Sequence, residues 1–148
     1  MDKHIKSRDV SGVYDIPICS LDGEQDMLKA FKEKVSLFVP VATKCGYKAK
    51  TDQAQSLERT HKKFQDLQIL HDEFYDRGFS VIAIPTNQLG EQEPCGNKEI
   101  AKFLKSEYPY VTFPFTEKIN INPIGVGDNY EPEHVLALYL KGYEIRAV

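Results

Sequence analysis

The chain has 148 residues, 41% of them hydrophobic and 28% charged, with a formal net charge of −3. This length suits one domain of an ordinary globular protein, which we expect over residues 1–148 with a loose N-terminal arm at 1–12. The slightly acidic balance argues against a nucleic-acid partner, and the longest apolar stretch is too short to span a membrane.

Cysteine usage and the N-terminus indicate the compartment. The first residues, MDKHIKSRD, are polar and lack the apolar segment of a secretory signal, so a cytoplasmic location is expected. The three cysteines are Cys19, Cys45 and Cys95, an odd number that argues against a structural disulfide framework. None forms a Cys-x-x-Cys pair or lies near a histidine in a zinc-ligand pattern, so no metal site is predicted.

The N-terminal third contains one strong structural signal. Residues 13–18 are typical of a short extended segment, and 21–24 of a turn, which together predict a hairpin. Residues 26–31 fit either a helical turn or a second short strand. Residues 34–42 form a nearly continuous apolar run, which predicts a strand covered on both faces. Pro40 must lie at the end of that strand, at a sheet edge or at a bulge, because proline cannot donate to the ladder.

The remaining elements alternate between helix and strand. Apolar residues at helical spacing predict a helix over 51–77, with Gly78 as its stop. The later predictions are a buried strand at 79–84 ended by Pro85, a loop at 86–97, a short helix at 98–106, a third strand around 118–121, a loop at 122–130 and a short helix at 133–140. This order predicts an α/β fold with a parallel core.

Cys45 lies between the first strong strand and the long helix. A thiol at a helix N-terminus meets free N–H groups and the positive end of the helix dipole, which stabilise the thiolate. Adjacent Lys44 adds a favourable charge. The position therefore suits a nucleophile, although a small residue filling a strand-to-helix corner fits it equally well.

Three blocks of sequence resemble the glutathione peroxidase family. They occur in the family's order, and the middle one is its most recognisable motif. The blocks are KVSLFVPVATKCGY at 34–47, GFSVIAIPTNQLGEQEP at 78–94, and VTFPF at 111–115 with KININ at 118–122. The resemblance implies a thioredoxin-like fold of the glutathione peroxidase type.

The resemblance also implies chemistry at particular residues. Cys45 would attack the peroxide O–O bond and become a sulfenic acid, and Gln92 would donate a hydrogen bond to the thiolate or the leaving oxygen. A thiol such as glutathione or a thioredoxin-like protein would then reduce the sulfenic acid, with no bound cofactor. Gly46 would allow a tight turn beside the sulfur, whereas Asn87 and Gln88 are favoured as structural ties within the loop.

The chain departs from the family pattern near its end. The family's catalytic site also uses a tryptophan followed by asparagine, and this chain contains no tryptophan. We therefore expect a fold without the last strands and helix, in either a naturally shortened protein or a fragment. Residues 143–148 are a candidate substitute strand for the sheet edge that would otherwise stay unpaired.

Two further departures concern the cysteines. A charged insertion at 48–63 either extends the long helix or moves its start away from Cys45, which would weaken the dipole effect. Leu104 occupies the place of the resolving cysteine of thioredoxin-dependent relatives, and Cys95 replaces a glycine. We hypothesise that Cys95 resolves the Cys45 sulfenic acid, but favour an incidental loop thiol. Cys19 is interpreted as structural or neutral.

The sequence thus supports two functional hypotheses. The first is a thiol-dependent peroxidase that reduces hydrogen peroxide or organic hydroperoxides through a cysteine sulfenic acid. The alternative is a catalytically weak or inactive thioredoxin-fold protein retained for binding or redox sensing. Cys45 and Gln92 favour the peroxidase, whereas the missing Trp-Asn pair and the charged insertion favour the alternative.

Overall fold

The computed structural model describes residues 11–142 of the chain. Its regular elements are two strands, three α-helices and four short 3-10 turns. The strands and helices are β1 (Val35–Val41), α1 (Ala54–Phe74), β2 (Phe79–Pro85), α2 (Asn97–Glu107) and α3 (Val135–Leu140), and the 3-10 turns are Val13–Asp15, Met27–Phe31, Tyr75–Arg77 and Gly127–Asn129. No helix in this part of the chain is long and apolar enough to span a membrane.

The predicted strand-helix-strand unit is confirmed. Strands β1 and β2 pair in parallel, with Val35 opposite Phe79 and Val41 opposite Pro85, and α1 connects them. The helical region ends at Gly78, as predicted, where the backbone enters the left-handed region with φ +81°. Glycine adopts this conformation without the steric cost that a side chain would add.

Pro40 lies on an edge of the sheet, one of the three positions that the sequence allowed. The Val35 N–H donates to the Gly78 carbonyl, and the Val41 carbonyl accepts from the Thr86 N–H. Because backbone groups alternate sides along a strand, Pro40 faces away from β2. In the described part of the chain β1 pairs with β2 alone. The missing N–H of Pro40 therefore costs no ladder hydrogen bond.

The other side of β2 is covered by irregular chain and by a side chain. The Val81 N–H donates to His71 Nδ1 at 3.1 Å, and the Ala83 N–H donates to the Pro114 carbonyl at 2.9 Å. Ala83 forms a parallel bridge with Phe115. Strand β2 is therefore hydrogen-bonded along both edges, whereas β1 is bonded along one.

The third strand predicted around 118–121 is wrong. The segment that follows the Phe115 bridge is irregular. The Ile119 N–H still donates to the Pro85 carbonyl at 3.0 Å, but side chains take two other backbone donors that a strand would use. The Lys118 N–H donates to Asn97 Oδ1 at 2.8 Å, and the Ile121 N–H donates to Gln88 Oε1 at 2.7 Å. Only the bridge at Phe115 stands where a third strand was expected.

The predicted N-terminal hairpin is also wrong, although its turn is present. The Gly23 N–H donates to the Ser20 carbonyl, which closes the turn. Residues Val13–Asp15 form a 3-10 turn rather than extended chain, and Met27–Phe31 adopts the helical alternative. Ser20 forms its antiparallel bridge with Thr116.

The two strands differ in burial, and β1 is not covered on both faces as expected. Val35 is 68% exposed and Leu37 38% exposed, whereas β2 is buried from Ser80 onward. The side chains of β2 divide between two apolar clusters. Val81 and Ala83 join the cluster that contains Cys45, and Ile82 and Ile84 join a second cluster with Leu28 and Leu136.

Two predictions fall mainly on residues that the structure does not describe. The candidate strand at 143–148 lies outside the described range, as does most of the predicted arm at 1–12.

Candidate active site

Cys45 lies on the loop that leaves the carboxyl end of β1. The chain turns sharply there, with φ +64° at Lys44 and φ +87° at Gly46, and the Tyr47 N–H donates to the Lys44 carbonyl. Cys45 itself is only 5% exposed. The turn thus presents the sulfur to the protein interior rather than to solvent.

The sulfur of Cys45 is joined to Cys95 in a disulfide. The two Cα atoms are 6.1 Å apart, within the range in which a disulfide forms without moving the backbone. Cys95 is half-buried on the loop between β2 and α2. This pairing is the arrangement that a resolving thiol requires, and an incidental loop thiol would not need it.

A buried carboxylate links the same two loops a short distance from the disulfide. Glu93 is fully buried, and its Oε1 accepts from the Thr43 hydroxyl at 2.6 Å while its Oε2 accepts from the Thr43 N–H. Thr43 and Glu93 each stand two residues before a cysteine of the disulfide. The Cys45 loop and the Cys95 loop are therefore joined twice in parallel.

Three side chains support this double link, Asn87 from within the Cys95 loop and Tyr108 and Lys118 from other parts of the fold. The Asn87 side-chain oxygen accepts from the Glu93 N–H at 3.0 Å, and the Tyr108 hydroxyl donates to the Thr43 carbonyl at 2.8 Å. The Lys118 ammonium donates to the Cys95 carbonyl at 3.1 Å. Each loop is thus held independently against the body of the domain.

The charged groups at the site are unusually buried. Burial raises the pKa of Glu93, and the Thr43 hydrogen bonds and the ammonium groups of Lys118 and Lys44 oppose this shift. Burial lowers the pKa of Lys44, which is 8% exposed, and nearby Glu93 opposes that change. The Lys44 ammonium also lies 5.9 Å from the centre of the Tyr47 ring. A cation is therefore present beside Cys45, as the sequence suggested.

Helix α1 does not begin directly after Cys45, so Cys45 is not a cap residue of that helix. Helix α1 begins only at Ala54, so the inserted segment both lengthens the helix and separates its start from the cysteine along the chain. The dipole field decays within about one turn of a helix end. Among the groups described here, Lys44 carries the favourable charge.

Gln92 makes no hydrogen bond to Cys45 in the described part of the disulfide-bonded protein. Its half-buried side chain folds back toward Gly90, where an added Cβ would meet Gln92 Cδ at 3.6 Å. The loop nevertheless places Gln92 next to Glu93, so its backbone is fixed close to the site.

Gln88 ties the active-site loop to a more distant segment. Its Oε1 accepts from the N–H groups of Ile121 and Asn122, and its Nε2 donates to the Asn122 carbonyl at 2.8 Å. These bonds reach across the fold rather than within the loop. The predicted tie within the loop is therefore present for Asn87, which accepts from the Glu93 N–H, but it is wrong for Gln88.

Four residues of the site were missed from the sequence: Thr43, Glu93, Tyr108 and Lys118. Thr43, Glu93 and Lys118 lie inside the three family blocks, but nothing in those blocks gave them a role, and the four residues meet only after folding. One signal was available, because the separations of Thr43 from Glu93 and of Cys45 from Cys95 are equal. That equality has meaning only once one of the two pairs is known.

Comparison with known proteins decides the family. The family model described as Glutathione peroxidase matches residues 13–132, which include both β strands and both cysteines of the disulfide. The chain belongs to the glutathione peroxidase family. The membership predicted from the three sequence blocks is therefore confirmed.

Curated relatives share more than a third of the aligned residues with this family member. The hydroperoxy fatty acid reductase gpx1 of Synechocystis is 38% identical over 120 residues, covering 81% of this chain and 60% of the relative. The glutathione peroxidase-like peroxiredoxin gpx1 of Schizosaccharomyces pombe is 38% identical over 123 residues, covering 83% and 66%. The chain thus spans less than two thirds of the length of these relatives.

Solved structures confirm the fold. The crystal structure of T. cruzi GPX1 matches with a TM-score of 0.54 at 22% identity, covering 89% of this chain and 66% of that one. The apo form of Trgpx matches with a TM-score of 0.55 at 23% identity, covering 92% and 72%. The architecture is therefore thioredoxin-like α/β with a small sheet, as predicted.

Proposed function

We propose that this protein is a thiol-dependent peroxidase that uses Cys45 as its peroxide-reducing residue and Cys95 as its resolving thiol. The disulfide between these two residues carries the proposal, because it is the product that such a reaction leaves behind. Family membership supports it, and two of the relatives are named as a hydroperoxy fatty acid reductase and a glutathione peroxidase-like peroxiredoxin.

The first step is attack on the peroxide. The Cys45 thiolate attacks the terminal oxygen of ROOH, the O–O bond breaks, and the alkoxide leaves and takes a proton to become ROH. Cys45 becomes a sulfenic acid. The Lys44 ammonium favours the thiolate, and Gln92 would have to swing from its position near Gly90 to donate to the departing oxygen.

The second step forms the observed bond. The Cys95 thiolate attacks the sulfur of the Cys45 sulfenic acid, and hydroxide leaves and is protonated to water. With the bond formed, the two Cα atoms are 6.1 Å apart, which is within the usual range for a disulfide. The proposed step therefore requires loops that keep the two thiols near this separation.

A thiol reductant completes the cycle. Two thiols, or one dithiol, reduce the Cys45–Cys95 disulfide by two exchanges, which restores both cysteines and releases an oxidised disulfide. Glutathione and a thioredoxin-like protein are the two reductants proposed, in a reducing compartment such as the cytoplasm. No bound cofactor enters the cycle.

Single-turnover oxidation tests the proposal. Reduced protein, Cys45→Ser and Cys95→Ser are mixed with hydrogen peroxide and with a fatty acid hydroperoxide, and thiol loss is followed in time. We expect rapid loss of two thiols in the wild type, with a Cys45–Cys95 peptide on mapping. Cys95→Ser should lose one thiol and accumulate sulfenic acid, and Cys45→Ser should react no faster than a free cysteine. Equal rates in the wild type and Cys45→Ser would refute the peroxidase.

One observation favours a second candidate function, a redox sensor. The Gln92 side chain lies near Gly90 and, within residues 11–142, donates no hydrogen bond to Cys45. A sensor would form the same disulfide slowly and would not turn over. Steady-state peroxide consumption with glutathione, or with thioredoxin and its reductase, separates the two functions, because only the peroxidase consumes peroxide beyond one equivalent.

A further inference from the structure

We propose that Glu93 is a positioning residue that sets how readily Cys45 and Cys95 form their disulfide. Its carboxylate binds Thr43 and so links the Cys95 loop to the Cys45 loop. This inference deepens the proposed function and rests on its disulfide. The inference concerns the disulfide equilibrium, whichever oxidant forms the bond, so the experiment that tests it contains no peroxide.

The contact between Glu93 and Thr43 has a defined geometry. Both carboxylate oxygens of Glu93 accept hydrogen bonds from one residue, Thr43, through its N–H and its hydroxyl. A bidentate contact fixes orientation as well as distance, which a single bond does not. The contact also lies two residues from each sulfur, so any movement at Thr43 passes directly to Cys45.

Within the described residues, few other contacts join the Cys45 loop to the Cys95 loop. Thr86 binds the Val41 carbonyl at 3.0 Å, where the strands end, and beyond that point Thr43–Glu93 and the disulfide are the bonds that join the two loops. The Tyr108 and Lys118 bonds hold each loop to other parts of the protein, and the Asn87 bond to the Glu93 N–H lies within the Cys95 loop. When the disulfide is reduced, Glu93 therefore remains as the direct connection between the loops.

The buried charge makes the contact between Glu93 and Thr43 sensitive to substitution. Thr43 and Glu93 are both fully buried, so a lost partner leaves a polar group that water cannot easily reach. Glu93→Gln keeps the size of the side chain but turns one acceptor into an –NH₂ donor that faces the donors of Thr43. Thr43→Val keeps the shape and the backbone bond and removes the hydroxyl alone.

Exchange with glutathione measures the effect of positioning. The Cys45 thiolate attacks oxidised glutathione and releases one glutathione thiolate, which leaves a mixed disulfide on Cys45. The Cys95 thiolate then attacks the Cys45 sulfur and releases the second. The second exchange is intramolecular, so its equilibrium reports the effective concentration of one cysteine at the other.

The experiment equilibrates each protein in buffers of reduced and oxidised glutathione and measures the disulfide fraction by alkylation and mass spectrometry. For Glu93→Gln we expect the effective concentration to fall about tenfold, which corresponds to about 30 mV for a two-electron couple. For Thr43→Val we expect a fall of about threefold, because only the hydroxyl bond to the charged carboxylate is lost. Thr43→Ser restores the hydroxyl and should lie within about twofold of the wild type.

Gln68→Leu is the matched control. Gln68 is also buried and also grips one threonine twice, because it accepts from the Thr112 N–H and donates to the Thr112 hydroxyl. This pair does not connect the two cysteine loops. Gln68→Leu should lower the melting temperature and leave the effective concentration within about twofold of the wild type.

Three outcomes would overturn the inference. The first is a lower melting temperature in Glu93→Gln and Thr43→Val with an unchanged effective concentration, which would make the pair merely structural. The second is an equal change in Gln68→Leu, which would indicate general loosening. The third is the absence of a Cys45–Cys95 disulfide in oxidised wild type, which removes the resolving thiol as well. A normal disulfide equilibrium without peroxide turnover would refute the peroxidase alone.

Discussion

Strands β1 and β2 have similar sequences and different surroundings. Both are short apolar runs that contain a proline, and they lie side by side in register. Strand β2 is bonded on both edges and packed on both faces, whereas β1 is bonded on one edge and leaves Val35 and Leu37 open to solvent. An apolar pattern thus predicts a strand, but the neighbours decide what its residues contribute to stability.

Proline substitution should give the largest difference in stability between the two strands. Ala83→Pro removes the N–H that donates to the Pro114 carbonyl, and we expect it to lower the free energy of unfolding by about 3 kcal/mol or more. Ser36→Pro is the matched change on β1, where Ser36 shares the open side of Pro40. It should cost about 1 kcal/mol, because it removes the contact of the Ser36 hydroxyl with the Tyr14 hydroxyl at 3.0 Å but no ladder bond. Urea denaturation of the reduced proteins measures both, and equal costs would contradict the assigned edges.

The same truncation at two valines should give the next largest difference. Val81→Ala empties space in the fully buried strand and should cost about 2 to 3 kcal/mol. Val35→Ala acts on a side chain that is 68% exposed and should change the free energy of unfolding by less than about 0.5 kcal/mol. Both variants are compared by chemical denaturation under identical reducing conditions. A large cost at Val35 would mean that β1 is covered in solution.

The same contrast explains what the sequence predicts and what it does not. The order β1, α1, β2, the stop at Gly78 and the family are predictable, because they depend on local periodicity and on contiguous blocks. The irregular course of 118–121 is not, since it results from Gln88 and Asn97 taking backbone donors from a distant segment.

The site residues also divide into those that the sequence predicts and those that only the structure reveals. Cys45 is recognisable from a contiguous motif, whereas Glu93 resembles an ordinary solvated loop carboxylate. Its role depends on Thr43, with which it makes contact only in the folded chain. The insertion predicted at 48–63 left two possibilities for the helix start, and only the structure gives its position at Ala54.

The pH dependence of the free energy of unfolding tests whether His71 binds the edge of β2. Burial lowers the pKa of His71, whose Nδ1 accepts from the Val81 N–H only while it is unprotonated. As the pH falls below about 6.5, the unfolded chain takes up the proton first, so the free energy of unfolding decreases until the pH reaches the folded-state pKa. The neighbouring Asp72 opposes the pKa shift and reduces the size of this loss.

His71→Asn isolates this contribution, because the Asn side-chain oxygen can replace Nδ1 as acceptor and does not titrate. We expect the variant to lose less stability than the wild type between pH 7.5 and pH 5.5, roughly one unit either side of an ordinary histidine pKa. His134, whose pKa burial also lowers, remains in both proteins, as does Glu93, whose raised pKa acts in the opposite direction. Parallel curves for the two proteins would show that His71 does not bind the strand.

The smallest effect is expected at Pro40 itself. Pro40→Ala gives β1 an additional N–H, but this donor faces the open edge and gains no partner within the described chain. The folded state should therefore be nearly unchanged, and the main effect is the greater freedom of the unfolded chain, which lowers the free energy of unfolding by about 0.4 to 1 kcal/mol. A gain in stability in urea denaturation would mean that the new N–H finds an acceptor, so that this side of β1 is paired. Pro40 would then interrupt a ladder rather than lie beside one.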